Sequence, residues 1–264
     1  MYNFTYHRPA TLADAVQILA AAADGQVLAG GMTLLPTLKQ RLAQPSDLID
    51  LAAIAELSAI KQKSGAIVIG AMASHADVAA SPEVAKAIPA LARLADSIGD
   101  PQVRNRGTLG GSIANADPTA DYPAAVVGLG ATVHTNERTI AADDFFTEMF
   151  ETALNDNELI TAVSFPVPQR AAYAKFANPA SRYAIVGVFV SQGNDGVRVA
   201  VTGAGPSVFR VAGMEQALSG KFSTDVLDGI SIPADDLNSD LHASAEYRAH
   251  LVSVMAIRAV AAAG

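Results

Sequence analysis

Two glycine pairs, Gly30-Gly31 and Gly110-Gly111, sit among small or hydroxylated neighbours. Ala29, Met32 and Thr33 surround the first; Thr108, Leu109 and Ser112 surround the second. Without a Cβ the backbone can turn sharply and bring several N–H groups into one concavity, which is a way of holding a pyrophosphate. A helix starting at Leu34, just after Thr33, would turn its first unpaired N–H groups and the positive end of its dipole toward the same anion. Two tight turns without a ligand are the competing reading, and spacing alone leaves both open. Asp117 and Asp121 could pair as carboxylates, but both lie beside prolines, where acids commonly cap turns, so they read as structural. The five histidines, His7, His75, His134, His242 and His250, lack the close spacing of a metal pair and read as surface or capping residues. Residues 199–205, VAVTGAG, imitate a strand entering a dinucleotide fingerprint. Val208 stands at the third glycine position and Pro206 interrupts the helix start, so a hairpin turn is the better reading.

The elements that must position these residues follow from the hydrophobic period. A capping-box pattern at Thr11 and Asp14 starts a helix that runs to residue 23 and stops at Asp24-Gly25. Residues 26–28 form a strand, the first glycine pair a turn, and residues 34–42 a second helix. Strands are expected at 48–51 and 66–70, and helices at 75–80 and 88–98. Residues 107–112 look like loop. After Pro168 the pattern changes to strands at 173–176, 185–191 and 197–202, followed by a helix at 208–218. Residues 243–263 make one amphipathic helix with Leu251, Val254, Met255 and Ile257 on its apolar side. Such alternation means an α/β chain, with a domain boundary near Gln169.

Composition narrows the function classes. The 264 residues carry a net charge of −8, which offers no footprint for a nucleic-acid backbone. No apolar run approaches the ~20 residues of a membrane helix. Residues 1–10 lack the basic start and apolar middle of a secretory signal, so the cytoplasm is the expected compartment. Cysteine is absent, which excludes disulfides, thiolate ligation of an iron–sulfur cluster and a thiol nucleophile in this chain.

Residues 28–36 (LAGGMTLLP), with 39–42 and 48–51 after them, resemble the first FAD loop of carbon monoxide dehydrogenase medium subunits. Residues 100–112 (DPQVRNRGTLGGS), continuing through 115–118 to Asp121, resemble the second FAD loop of that molybdenum hydroxylase family. Residues 69–72, 175–176 with 181–184, and 246–248 with Leu251 resemble its intervening strand end, the start of its C-terminal domain and its final helix. The resemblance covers essentially the whole chain. It implies a fold similar to the vanillyl-alcohol oxidase and p-cresol methylhydroxylase superfamily, α/β or α+β. Residues 1–169 would form a two-lobed FAD-binding domain with its internal boundary near 52–62, and residues 170–264 a C-terminal sheet-and-helix domain. FAD would lie extended between the lobes. By residue-wise match, Ala29, Gly30, Gly31, Met32 and Thr33, and Thr108, Leu109, Gly110, Gly111 and Ser112, would take the pyrophosphate and nearby groups. Asp121, Lys175 and Ile160 match cofactor-contacting positions, and Tyr183 a residue near the flavin ring. Met32 departs from the usual His or Thr, and Ser112 from the common Asn.

The resemblance implies an electron carrier. A molybdopterin large subunit oxidises the substrate, an iron–sulfur small subunit relays the electrons, and FAD on this chain passes them to an external acceptor, in a dimer of heterotrimers. This chain would not act on the substrate alone, in keeping with its lack of cysteine and of an evident acid–base constellation. The alternatives are a free-standing flavoenzyme resembling the reductases of cell-wall precursor synthesis, and a scaffold that has lost FAD.

Overall fold

The computed structural model describes all 264 residues. The first lobe holds β1 (Thr5–His7), α1 (Leu12–Ala21), β2 (Gly25–Leu28), α2 (Leu34–Lys39) and β3 (Asp47–Asp50). Its sheet runs β1-β3-β2 and is parallel throughout, which requires a crossover such as α2 between β2 and β3. Thr11 starts α1 as the pattern predicts, its hydroxyl accepting from the Asp14 N–H at 3.1 Å. Ala15 and Leu19 of that helix pack with Ile49 and Leu51 in a small core.

The second lobe contains β4 (Ile60–Lys63), β5 (Ala66–Gly70), α3 (His75–Ala80), α4 (Pro82–Ala87), α5 (Pro89–Asp96), α6 (Pro101–Arg104), α7 (Leu109–Asn115) and α8 (Tyr122–Gly128). It continues with β6 (Thr132–Thr135), β7 (Thr139–Ala141), α9 (Ala142–Phe145), β8 (Phe146–Glu148), β9 (Glu151–Thr152) and β10 (Ile160–Pro166). Its antiparallel sheet has the order β4-β5-β10-β6-β7. Proline divides the helical stretch after β5: Pro82, Pro89 and Pro101 each open a helix, where their missing N–H costs nothing. The expectation of loop at 107–112 is overturned, because Leu109–Asn115 is helical. Two glycines argue against a helix by propensity, but the Thr108 hydroxyl caps it by accepting from the Gly111 N–H at 3.1 Å.

The C-terminal sheet, antiparallel in the order β11-β12-β13-β14, comprises β11 (Arg170–Ala177), β12 (Ala184–Gly193), β13 (Gly196–Thr202) and β14 (Phe209–Arg210). Helices α10 (Ala212–Gly220) and α11 (Ala245–Ala263) follow. The expected helix at 208–218 therefore starts later, after a two-residue strand. β12 reads as a continuous apolar run because both its faces are covered. Val186, Val188 and Val190 meet the α11 side, while Phe189 enters the core of the second lobe. α11 buries Arg248, Leu251, Val252, Met255, Ala256, Ala259 and Val260 at helical spacing; Val254 and Ile257 lie half-buried at the edge of that stripe. No helix is long and apolar enough to cross a membrane.

The fingerprint-like residues 199–205 form the end of β13 and a turn. Gly203 has φ +83°, and a Cβ there would stand 2.6 Å from the Ala184 carbonyl oxygen. Its own carbonyl accepts from Arg248 Nη1 at 2.9 Å. This glycine fastens the sheet to α11.

Candidate cofactor site

The two glycine loops, about eighty residues apart in sequence, meet in space. Gly31 takes φ +76°, a turn conformation favouring glycine. A Cβ on Gly30 would fall 1.9 Å from the Arg106 carbonyl oxygen, so the backbones of the two segments touch. A Cβ on Gly111 would lie 3.3 Å from that of Ala29. None of the five N–H groups from Ala29 to Thr33 has an acceptor within the chain. In the second loop most donors are committed. Leu109 donates to the Ala73 carbonyl, Gly110 to Ala71 and Ser112 to Thr108, at 3.0, 2.8 and 3.0 Å. The first loop is thus the stronger source of free donors, and the second is the wall that shapes it. A row of free N–H groups beside a backbone contact that admits no side chain suits an elongated anion such as a pyrophosphate. Met32 is 39 % exposed, and the Thr33 hydroxyl caps nothing, so it adds a free side-chain donor beside those of the main chain.

His75 supports the second loop from below. Its N–H donates to the Gly107 carbonyl at 2.9 Å, and a Cβ on Gly107 would lie 2.5 Å from its Nε2. The side chain is buried, with Nδ1 unpartnered, which corrects the reading of this histidine as a surface or capping residue. Burial, reinforced by the Arg104 charge, pushes its pKa down to about 4 and keeps the ring neutral.

Asp121 departs from its expected role more sharply. It stands before α8 but its side chain caps nothing. Of the two acids beside prolines, Asp117 alone caps a turn, accepting from the Thr119 N–H at 2.8 Å and the Thr119 hydroxyl at 2.7 Å. The Asp121 side chain is buried and accepts from Tyr173 Oη at 2.5 Å and Lys175 Nζ at 3.0 Å. Burial pushes its pKa up, and the Lys175 ammonium with the Tyr173 phenol opposes that. Burial and the neighbouring carboxylate push the Tyr173 phenol well above its ordinary range, so it remains a donor.

Of the remaining residues, Lys175 also donates to the Ser97 carbonyl at 3.1 Å. Tyr183 is 45 % exposed, its phenol raised by burial and by the charges of Asp117 and Asp121. Ile160 is a core side chain at the start of β10. Its neighbour Thr161 accepts the Ala71 N–H at 2.9 Å, which sets this strand end under Gly110. Tyr173 was not a sequence candidate, yet a signal existed: it lies two residues before Lys175 on one strand, and hence on the same face. Two surface depressions, of about 670 Å3 beside β1 and α1 and about 500 Å3 between α3, α5 and α6, contain none of these residues.

Fold and loops together define an α/β protein whose two glycine turns meet beside a row of unpaired backbone N–H groups. Residues 2–168 match the FAD binding domain in molybdopterin dehydrogenase, and residues 171–263 the CO dehydrogenase flavoprotein C-terminal domain. The nicotine 6-hydroxylase medium subunit of Paenarthrobacter nicotinovorans is 37% identical, over 98% of this chain and 96% of its own. The carbon monoxide dehydrogenase medium chain of Hydrogenophaga pseudoflava is 36% identical, over 99% and 97%. A solved structure of carbon monoxide dehydrogenase from that organism superposes with a TM-score of 0.90 at 36% identity, covering 99% of this chain and 97% of that one. The chain belongs to the FAD-binding medium subunits of the molybdenum hydroxylases, and its cofactor is FAD.

Proposed function

We propose that this chain holds FAD extended between its first two lobes, in a vanillyl-alcohol oxidase-like arrangement, and serves as the electron exit of a molybdenum hydroxylase. The observation that carries the reading is the contact of two glycine loops beside five unpaired backbone N–H groups. Residues Ala29 to Thr33 then take the pyrophosphate, and Thr108 to Ser112 close over nearby groups. Asp121 and Lys175 present a fixed polar pair, Tyr183 stands by the flavin ring, and Ile160 backs the site from the core. Residues 1–169 form the FAD-binding domain, its lobes dividing near 52–62, and residues 170–264 the C-terminal domain that supplies Lys175 and Tyr183.

When bound, FAD supplies the redox chemistry, accepting electrons and releasing them to an external acceptor. The chain's own residues bind and orient it. Electrons arrive from an iron–sulfur small subunit, which draws them from a molybdopterin large subunit, in a dimer of heterotrimers. The substrate is chosen elsewhere in the complex: medium subunits of comparable identity to this chain belong to enzymes named for nicotine and for carbon monoxide.

Titrating FAD into the purified chain and following its visible spectrum tests the binding reading. The Gly111→Asp variant should lose well over tenfold in FAD affinity, more than ~1.4 kcal/mol, because a charged side chain enters beside the pyrophosphate. A folded Gly111→Asp protein with unchanged affinity would remove the second loop from the site.

A further inference from the structure

The C-terminal sheet reaches the second lobe with two donors on one face of β11, and both end on Asp121. Lys175 Nζ lies 2.9 Å from Oδ1 and 3.0 Å from Oδ2, so it neutralises the whole carboxylate. Tyr173 Oη donates to Oδ1 alone, at 2.5 Å. The charge is met without the phenol; what the phenol adds is direction, since it engages one oxygen and leaves the other with more free acceptor capacity. Its own position is fixed from two sides. Phe189 stacks on the ring at a centroid distance of 6.2 Å. Gly187, which faces Lys175 across the strands, leaves room for the hydroxyl: a Cβ there would stand 2.2 Å from Tyr173 Oη. The segment bearing Asp121 is likewise held by the C-terminal domain, because Thr202 Oγ1 donates to the carbonyls of Pro118 and Ala120 at 2.9 and 2.7 Å.

We propose that Tyr173 is a positioning residue for the cofactor, a phenol of the C-terminal domain that sets the orientation in which Asp121 meets FAD, with Gly187 keeping the space for its hydroxyl. The inference rests on the assignment of Asp121 to the FAD site. Removing the phenol hydroxyl leaves burial opposed by Lys175 alone, so the carboxylate takes a proton more readily.

The test measures FAD dissociation constants, alongside the melting temperature of the FAD-free protein, for wild type, Tyr173→Phe, Gly187→Ala, Asp121→Asn and the Tyr173→Phe/Asp121→Asn double variant. Tyr173→Phe should weaken FAD binding roughly tenfold, in line with loss of a hydrogen bond to a charged group. That loss should grow on acidification and should vanish in the Asp121→Asn background. Gly187→Ala, which displaces the hydroxyl without touching either partner, should weaken binding in the same direction and carries the test if Tyr173→Phe does not fold. Normal affinity in Tyr173→Phe, or an equal loss with and without Asp121, overturns the proposal: the phenol is then only a brace between domains. A wild-type chain that binds no FAD overturns the underlying cofactor reading instead.

Discussion

His75 is a neutral imidazole buried under the second loop, and its protonation is linked to folding. Its ordinary pKa lies near 6.5 and its folded value at about 4. Between those two pH values the unfolded chain binds a proton that the fold refuses, so stability falls as pH drops through that window. The loss saturates at about 3 kcal/mol below it. Urea midpoints measured from neutral to acid pH should fall more steeply for wild type than for His75→Gln, which lacks the titrating ring; parallel curves would mean that the histidine is not shielded as described. Asp121 obeys a different rule. Its removal by Asp121→Ala would strand the Lys175 ammonium in a buried site, so that variant reports on folding as much as on cofactor. Asp121→Asn keeps the shape and is the cleaner probe.

At the scale of elements, the site depends on how closely two turns approach. At Gly30 the obstacle to a side chain is the Arg106 main chain, which cannot rotate out of the way. Gly30→Ala should therefore separate the loops, destabilise the FAD-free protein by about 1–3 kcal/mol and weaken FAD binding together, read by thermal melts and FAD titration. Wild-type values for both would show that the loops are not in contact. The strand, glycine turn and helix of the first loop were legible in sequence because apolar period and breaker residues agree there. The second loop was not: two glycines at the start of α7 mask a helix that depends on the Thr108 cap and on the Gly110 N–H bond to Ala71. Strand β4 and helix α4 escaped for a related reason, being short and lacking a strong period of their own. The turn at Gly203 was rightly separated from a dinucleotide fingerprint by Pro206 and Val208.

The whole molecule is built on three hydrophobic cores, one in the first lobe, one in the second lobe and one in the C-terminal domain. The first glycine loop could be read locally, but the partners of Asp121 could not, since Tyr173 and Lys175 lie 52 and 54 residues downstream and reach it only through the packing of β11 on the second lobe. A local rule about acids beside prolines won at Asp117 and failed at Asp121 because burial and a lysine outweigh a turn cap. At this scale the central claim is that the chain carries electrons and does not oxidise the substrate of its complex. The direct measurement is the flavin absorbance of the FAD-loaded chain. It should bleach on mixing with the reduced iron–sulfur subunit and stay oxidised when candidate organic or gaseous substrates are added to the chain alone; rapid substrate-dependent bleaching of the lone, pure chain would contradict the account.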